Sequence, residues 1–346
     1  MHKVVCGNIF RIFCCIELKP KTCADTVCVE MIKNSFDGVS VSDNKKALIV
    51  AMYAGFLAWM TTPNSVFSEN LILQDKNPLV CRSVRGKLTG FGPTPLGREI
   101  NLLLFEASQK SCGALVKELV TMNAAVDARD RSASTPLMKA AEAGHVDIVK
   151  YLESVGGNIN HRSLRGNTAL LLAVRSNRAK MVKYLLRQGA DPNILSLDNI
   201  TPLSAACFDG NTRLIKYLLD AGADPKTQDG TGKSPIIYAA AKGFSGVVKT
   251  LLSEGVDPNE KYKSGLTAVM WAAGHTADTP AVEGVKTIMI LGENKANLNT
   301  QDDRGMTALM YAYQLDNMDA AAALLSLGAN PDVRDASGKV AADYAN

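Results

Sequence analysis

The residues best suited to acid–base or nucleophilic chemistry are few in this sequence, and they lie far apart. The chain of 346 residues contains four histidines. A hydrolytic site needs a nucleophile, a base and an orienting group brought together, and no Ser-His-Asp or Cys-His spacing suggests one. The sequence also lacks a phosphate-cradling glycine loop and paired metal ligands. His145 and His161 lie in turns, so only His275, beside an insertion, remains a candidate for a functional role. We predict no catalytic, cofactor-binding or metal site.

The cysteines divide the chain into two parts. Five of the eight lie in the first 30 residues, and only Cys81, Cys112 and Cys207 follow. Cys23 and Cys28 do not form a CxxC pair, and no histidine follows at finger-like spacing, so a zinc site is not expected. The three downstream cysteines do not make a disulfide framework, although one bridge between Cys81 and Cys112 is left open. Cys207 takes a helix position that is alanine elsewhere, which favours a small buried thiol.

Composition and charge describe a soluble globular protein. The hydrophobic share is 47% and the charged share 21%, values that allow a buried core. The net charge of +4 is small, and the sequence contains no basic stripe with interleaved aromatic residues, so we expect no nucleic-acid partner.

An apolar run over residues 47–60 follows Lys45 and Lys46. It is shorter than the roughly 20 residues that span a bilayer as a helix, but it has the length of a signal-peptide core behind a basic segment. We hypothesise cleavage before Glu69. The stretch before the basic segment is longer than that of an ordinary signal peptide. One explanation is that the protein truly starts at Met31. The alternatives are that the apolar run is an uncleaved anchor or a helix packed against the rest of the protein.

These features divide the chain into four segments. Turn-forming residues at 91–97 indicate a connection into the following domain. The segments are an N-terminal extension at 1–44, which contains the alternative start at Met31, a signal peptide or membrane anchor at 45–68, a linker at 69–96, and a repeat domain at 97–346.

A short motif of Thr or Ser, then Pro or Ala, then an aliphatic residue repeats along the chain. The motifs begin at Thr135, Thr168, Thr201, Ser234, Thr267 and Thr307. The spacing is 33 residues, except that the last is 40 and implies a seven-residue insertion near His275. A degenerate unit precedes the series, and a partial unit at 338–345 ends it. A fixed period of this length indicates a repeat architecture.

The physical chemistry of one unit explains its pattern. Thr or Ser caps a short helix, and Pro is tolerated in the first helical turn because its missing N–H would be unpaired there. A second apolar stripe of helical period follows. Glycines such as Gly189 and Gly222 then end the second helix in the left-handed conformation. The Asp- and Asn-rich segments that follow favour turns.

Together these units resemble the ankyrin repeat over about 250 residues. The resemblance implies an all-α ankyrin-repeat solenoid of about seven helix–turn–helix repeats with β-turn fingers, preceded by the signal-like or anchor helix. Stacked repeats bury a continuous core that a single repeat cannot form. The sequence departs from the family pattern where histidine usually follows Thr-Pro-Leu, since Met138, Leu171 and Ser204 stand there in the first three units.

The resemblance also implies that a partner protein binds the concave face, which is formed by finger tips and first helices. Register assigns these candidate contact residues: Leu164, Arg165, Arg175, Leu197, Ile200, Phe208, Lys233, Lys242, Lys263, Leu266, Arg304 and Met306. The apolar members stand at positions that usually face solvent, which favours a contact site. We expect Phe208, Ile200 and Leu197 to anchor it. The alternative is that they shield one another within the stack.

We therefore predict a non-catalytic, monomeric scaffold or regulator whose partner is another protein. Contact with a membrane is expected only through the N-terminal apolar segment, if it is uncleaved. The expected location is exported, either periplasmic or membrane-anchored, in a bacterium. The alternatives are a cytoplasmic effector or regulator, and an accessory protein that protects or assists an enzyme under stress.

Overall fold

The computed structural model describes residues 73–274 and 281–345. All of the described residues belong to one compact unit. The predictions for residues 1–68, including the signal peptide or anchor, lie outside the described residues, and so does His275. None of the helices in the described part has the length and apolarity to cross a bilayer.

The described part is helical, with 15 α-helices and no β-strand among its residues. The helices are α1 Pro78–Gly90, α2 Gly97–Gln109, α3 Gly113–Thr121, α4 Pro136–Ala143, α5 Val146–Ser154, α6 Ala169–Arg175, α7 Ala179–Arg187, α8 Pro202–Phe208, α9 Thr212–Asp220, α10 Pro235–Ala241, α11 Ser245–Ser253, α12 Ala268–Ala273, α13 Ala281–Glu293, α14 Ala308–Gln314 and α15 Met318–Ser326. Short 3-10 turns lie at Lys263–Gly265 and Ala341–Tyr344. From α2 to α15 the helices form seven pairs, as the repeat pattern predicts.

Capping side chains begin the first helix of most pairs, as expected. The Oγ1 atoms of Thr168 and Thr201 accept hydrogen bonds from backbone N–H groups three residues later, at 3.2 and 3.0 Å. Ser234 does not cap α10, because its hydroxyl pairs with that of Tyr262 at 2.8 Å. Gly189 follows α7 with φ +83°, a conformation that costs a residue with a Cβ about 1–2 kcal/mol.

The core lies between the two rows of helices. First helices α4, α6, α8, α10, α12 and α14 contact one another in succession, and each contacts its own second helix. Leu137, Leu170, Leu203 and Leu309 occupy the same position after the cap, and each is at most 1% exposed. Because every such leucine is shared between neighbouring pairs, a pair in isolation would expose it, at a cost of about 2 kcal/mol each.

Polar fingers connect one pair to the next. The Asp229 carboxylate accepts hydrogen bonds from the N–H groups of Thr231 and Lys233, at 2.8 and 2.9 Å. Adjacent fingers are joined by single backbone hydrogen bonds, for example from the Leu197 N–H to the Arg165 carbonyl at 2.9 Å. The carboxylate fixes the shape of a finger, and the backbone bonds align successive fingers along one edge of the stack.

The segment interpreted as a linker is not an extended connection, because it contains α1. Val84 and Leu88 of α1 are buried, and Cys81 forms a disulfide with Cys112, the bridge that the sequence left open. The sequence shows no sustained apolar period here because only two aliphatic side chains of α1 enter the core, and the third inward contact is the sulfur.

The seven-residue insertion does not only lengthen a turn. Helix α13 has 13 residues, whereas α5, α7, α9, α11 and α15 have nine. Part of the insertion therefore extends the second helix at its N-terminal end. The rest falls in 275–280, outside the described residues.

Candidate protein-binding surface

A row of aromatic side chains occupies one position in four successive repeats. Tyr238, Trp271, Tyr311 and Tyr344 each stand four residues after the N-cap residue of their helix or 3-10 turn. All four are half-buried and pack on the core. We call these four residues the aromatic row. Because the position is the same in each repeat, stacking brings the rings to the same edge of the helix stack, beside the fingers.

Phe208 extends the row by one repeat. It is the last residue of α8 and is 49% exposed. Its ring lies 5.8 Å from that of Tyr238, centroid to centroid, in a T-shaped arrangement with an interplanar angle of 81°. Such edge-to-face pairs contribute about 0.5–1.5 kcal/mol beyond the area that they bury. The contact holds Phe208 in place while half of its surface faces solvent.

Cations lie on the rings in the first half of the row. The Lys233 Nζ lies 5.9 Å from the centroid of Tyr238 and 4.9 Å from that of Trp271. The Lys242 Nζ lies 5.1 Å from the centroid of Phe208. An ammonium group within about 6 Å of a ring is attracted by the negative face of the π system. Lys233 therefore bridges the rings of two adjacent repeats.

The second half of the row repeats this arrangement. The Arg304 guanidinium carbon lies 5.6 Å from the centroid of Tyr311, and the Lys339 Nζ lies 5.4 Å from that of Tyr344. Arg304 also lies 3.4 Å from the carboxylate of Asp302. We call Lys233, Lys242, Arg304 and Lys339 the ring cations. We call these cations, the aromatic row and Phe208 together the finger surface.

Three tyrosines of the row are held by aspartates of their own fingers. Each hydroxyl donates a hydrogen bond to an Asp nine residues earlier, and the pairs are Tyr238–Asp229, Tyr311–Asp302 and Tyr344–Asp335. Burial raises the pKa of Asp229, but hydrogen bonds from Tyr238 and the finger N–H groups outweigh it and keep this pKa below its usual range. Burial and the same bond raise the pKa of Tyr238. The carboxylate stays charged, the hydroxyl stays protonated, and the ring is fixed to the finger.

The repeat that contains Trp271 uses a different anchor. The finger position that is aspartate in its neighbours is Tyr262, which is buried, and its hydroxyl pairs with Ser234 of the preceding repeat. Lys263 follows at the exposed finger tip. This finger thus adds a cation to the finger surface and lacks the carboxylate of the others.

The structure places two of the predicted apolar residues at adjacent finger tips. Leu164 is 65% and Leu197 69% exposed, and the neighbouring Arg165, whose carbonyl binds the Leu197 N–H, is also exposed. Arg175 is exposed at the end of α6. Ile200 instead packs on the core, as does Leu266 of a later finger. These two residues are therefore shielded within the stack, as the alternative to a contact site predicted.

The prediction of Met306 as a contact residue is wrong, because its side chain is 3% exposed. Its backbone N–H donates to Asp302 at 2.8 Å, and the next residue is the helix cap Thr307. At this position the chain turns from the finger into the first helix. An unbranched apolar side chain there reaches into the core and does not point to solvent.

The aromatic row was not predicted from the sequence. The candidate residues belong to the fingers and to the C-terminal ends of the first helices, whereas the row lies about one helical turn before those ends, where the preceding units have Lys139, Leu172 and Ala205. A signal was present, since an aromatic residue recurs at one register and an aspartate precedes three of the four by nine residues.

A second set of cations lies on the second helices. The Lys183 Nζ and the Arg213 guanidinium carbon lie 5.6 and 5.7 Å from the ring centroid of Tyr217. Arg213 Nε donates to the Tyr217 hydroxyl at 3.1 Å. These side chains belong to α7 and α9, away from the fingers, and they provide a matched comparison for the ring cations. Within the part of the chain that the structure describes, no three His, Cys, Asp or Glu side chains are grouped so as to hold a metal ion.

Comparison with known proteins adds to this geometry. The family model for ankyrin repeats (3 copies) matches residues 104–196, 188–262 and 237–335, together more than half of the chain. The chain belongs to the ankyrin-repeat family. The structure is similar to the crystal structure of the human ASB11 ankyrin repeat domain, with 27% sequence identity and a TM-score of 0.54. That match covers 62% of this chain and 92% of the ASB11 chain. A search of curated protein sequences produced no significant match.

Membership in the family directs the interpretation of the finger surface. Ankyrin repeats generally mediate protein–protein interaction, and the family is typically non-catalytic. The aromatic row and the ring cations are therefore the candidate contact groups of this ankyrin domain.

Proposed function

We propose that this ankyrin domain is a non-catalytic binding module, a scaffold or regulator that holds another protein against its finger surface. The observation that supports the proposal is the run of half-buried rings with cations on their faces in successive repeats. Aromatic and arginine side chains contribute most of the binding energy at protein interfaces. A monomer with one partner surface accounts for this arrangement.

The finger surface is preorganised for binding. Tyr238, Tyr311 and Tyr344 are fixed by hydrogen bonds to finger aspartates, and Phe208 is fixed by its contact with Tyr238. A free side chain loses about 0.5–1.5 kcal/mol of conformational entropy when it is immobilised at an interface. Here the rings are ordered before the partner arrives, so less of that cost falls on binding.

Affinity purification with two matched variants tests the proposal. Phe208→Asp places a charge on the finger surface, whereas Leu325→Asp changes a residue of similar exposure on the second helix α15, at 49% and 41% respectively. Proteins captured by the wild type and identified by mass spectrometry should be lost with Phe208→Asp and kept with Leu325→Asp. Circular dichroism confirms that both variants fold. Equal capture by the two variants would contradict a site on the finger surface.

We also propose that the protein works outside the reducing cytosol, as an exported and periplasmic or membrane-anchored bacterial protein. Two observations support this, the signal-like run at 47–60 and the Cys81–Cys112 disulfide. Structural disulfides persist mainly in oxidising compartments. Cell fractionation followed by thiol alkylation should find the chain outside the cytoplasm with this pair oxidised. A cytoplasmic chain with both thiols alkylated would favour the intracellular effector instead.

A further inference from the structure

We infer that the finger surface binds an extended, acidic, proline-containing segment of its partner, in the polyproline II conformation, with a carboxylate at every third residue. The inference rests on the proposed function, because it names the chemistry of the segment that this surface would hold. It is carried by the recurrence of one row ring in each repeat, by the charge of the ring cations and by the contacts of these cations with the rings.

The spacing of the surface matches a ligand with a period of three residues. Packed helices lie about 8–10 Å apart, and the first helices place one row ring in each repeat. A polyproline II segment has three residues per turn and rises about 3.1 Å per residue, so residues i and i+3 face the same side about 9 Å apart. A β-strand presents every second residue, about 6.6 Å apart, and falls out of register after one repeat.

The accessible charge on the surface is positive. Among the described residues, Lys233, Lys263 and Lys339 make no ion pair within 4.0 Å, and two nitrogens of Arg304 each lie 3.4 Å from the Asp302 carboxylate. The finger aspartates beside the row are engaged by tyrosine hydroxyls and backbone N–H groups. A partner carboxylate would therefore meet a cation at each repeat and would not have to displace an existing carboxylate at Lys233 or Lys339.

The rings between the cations suit proline. Aromatic-lined grooves recognise proline-rich segments because the pyrrolidine ring packs flat on an aromatic face and the segment loses little entropy on binding. Single-stranded nucleic acid also combines phosphates with stacked bases. The geometry favours the peptide, because a charged aspartate is bonded to each tyrosine of the row, and Asp303 is exposed at the tip next to Arg304. A strand with a phosphate at every nucleotide would bring negative charge beside these carboxylates, whereas a peptide with a carboxylate at every third residue can place its charges at the cations alone.

Binding of labelled peptides to the full chain tests the inference. The probe is fluorescein-labelled (Glu-Pro-Pro)5. The comparison peptides are one of equal composition with its glutamates in a single block, the lysine analogue (Lys-Pro-Pro)5, and the oligonucleotide dT15. Fluorescence anisotropy measures affinity. In a Trp59→Phe background, Trp271 is the only remaining tryptophan, and its emission should change on binding. We expect the periodic acidic peptide to bind about fivefold or more tightly than the block peptide, and the other two probes not to bind.

Two double variants locate the interaction. Lys233→Gln with Arg304→Gln removes two ring cations and should weaken the periodic peptide about tenfold, whereas Lys183→Gln with Arg213→Gln removes the same charge from the second helices and should change binding less than about twofold. Similar losses in both variants would overturn the site. If the periodic and block peptides bind equally well, and only the Lys233→Gln, Arg304→Gln variant loses affinity, then the inferred three-residue spacing of the ligand is wrong and the proposed function stands.

Two further outcomes separate the inference from the proposed function. If (Glu-Pro-Pro)5 fails to bind while capture of a cellular partner still depends on Phe208, the ligand class is wrong and the finger surface is right. If dT15 binds more tightly than the peptide, the inference is overturned in favour of single-stranded nucleic acid.

Discussion

Reduction of the Cys81–Cys112 disulfide is expected to release helix α1 from the N-terminal end of the helix stack. Both cysteines are at most 1% exposed, so the bond lies inside the contact between α1 and the first helix pair. The remaining contacts there are the buried side chains of Val84 and Leu88 and exposed ion pairs such as Arg85–Glu118 at 2.9 Å.

The size of the effect follows from the loop that the bond closes. The two cysteines are 31 residues apart, and loss of a cross-link that closes a loop of this length lowers the free energy of unfolding by about 3–4 kcal/mol. Burial of Val84 and Leu88 contributes about 1.5–3 kcal/mol each, and each exposed ion pair at most about 1 kcal/mol. The disulfide is therefore the largest single contribution to holding α1.

Hydrogen exchange measured by mass spectrometry resolves this effect by position. Each 1.4 kcal/mol is a factor of ten, so amides of Pro78–Gly90 should exchange about a hundredfold to a thousandfold faster in the Cys81→Ala, Cys112→Ala variant than in the wild type. Helices α11 to α15 serve as an internal control, because repeat stability is carried by contacts between neighbours. Cys207→Ala is the variant control, since this thiol is free and buried where other repeats have alanine.

The reasoning would be refuted by either of two results. If exchange at α1 rises less than about threefold, packing and not the cross-link holds the helix. If α11 to α15 lose as much protection as α1, the stack unfolds as one cooperative unit, and the nearest-neighbour argument does not apply to this chain.

Other perturbations act on the fingers and turns. Asp229→Asn should destabilise the protein at neutral pH and lose that effect in acid. The pKa of Asp229 is lowered in the folded protein, so its contribution to stability is complete well above the usual carboxyl pKa of about 3.9 and is lost as the pH falls below that value. The thermal midpoints of variant and wild type should therefore approach each other as the pH is lowered below about 4, with the exposed Asp303→Asn as control. Gly166→Ala should cost more than Gly189→Ala. Both glycines have positive φ, so alanine at either position costs about 1–2 kcal/mol of backbone strain. Only at Gly166 would the added Cβ also lie 2.9 Å from a backbone atom, the nitrogen of Leu197. Urea denaturation measures the stability of both variants. Equal midpoints would show that the neighbouring finger shifts to accommodate the added methyl group at Gly166.

The repeat architecture was predictable because its determinants are local. Threonine caps, left-handed glycines and the helical apolar period act within about ten residues. The sequence of each unit therefore determines the helices and turns of that unit. Six units in register confirm one another, and the seven helix pairs follow. The same argument explains why Cys207 was predicted as a small buried thiol, since its position is occupied by alanine at Ala141 and Ala240.

The finger surface was only partly predictable. Register assigned Phe208, Lys233, Lys242 and Arg304 as candidates, and these four lie on the finger surface, because the finger and the end of the first helix recur at fixed offsets. Register alone could not separate Met306 from Lys233, because both directly precede the N-cap residue and donate the same N–H bond to a finger aspartate. The difference is in the side chain, since the apolar Met306 is buried and the Lys233 ammonium lies over the rings.

What the sequence by itself determined is the unit and its repetition, since capping, turn formation and helix period are interactions between near neighbours along the chain. Only the tertiary structure decided the pairing of Cys81 with Cys112 and the position of Lys233 between the rings of two repeats. The disulfide joins residues 31 positions apart, and Lys233 lies 38 positions before Trp271 in the sequence, so both distances in space are set by how one part of the stack packs on the next.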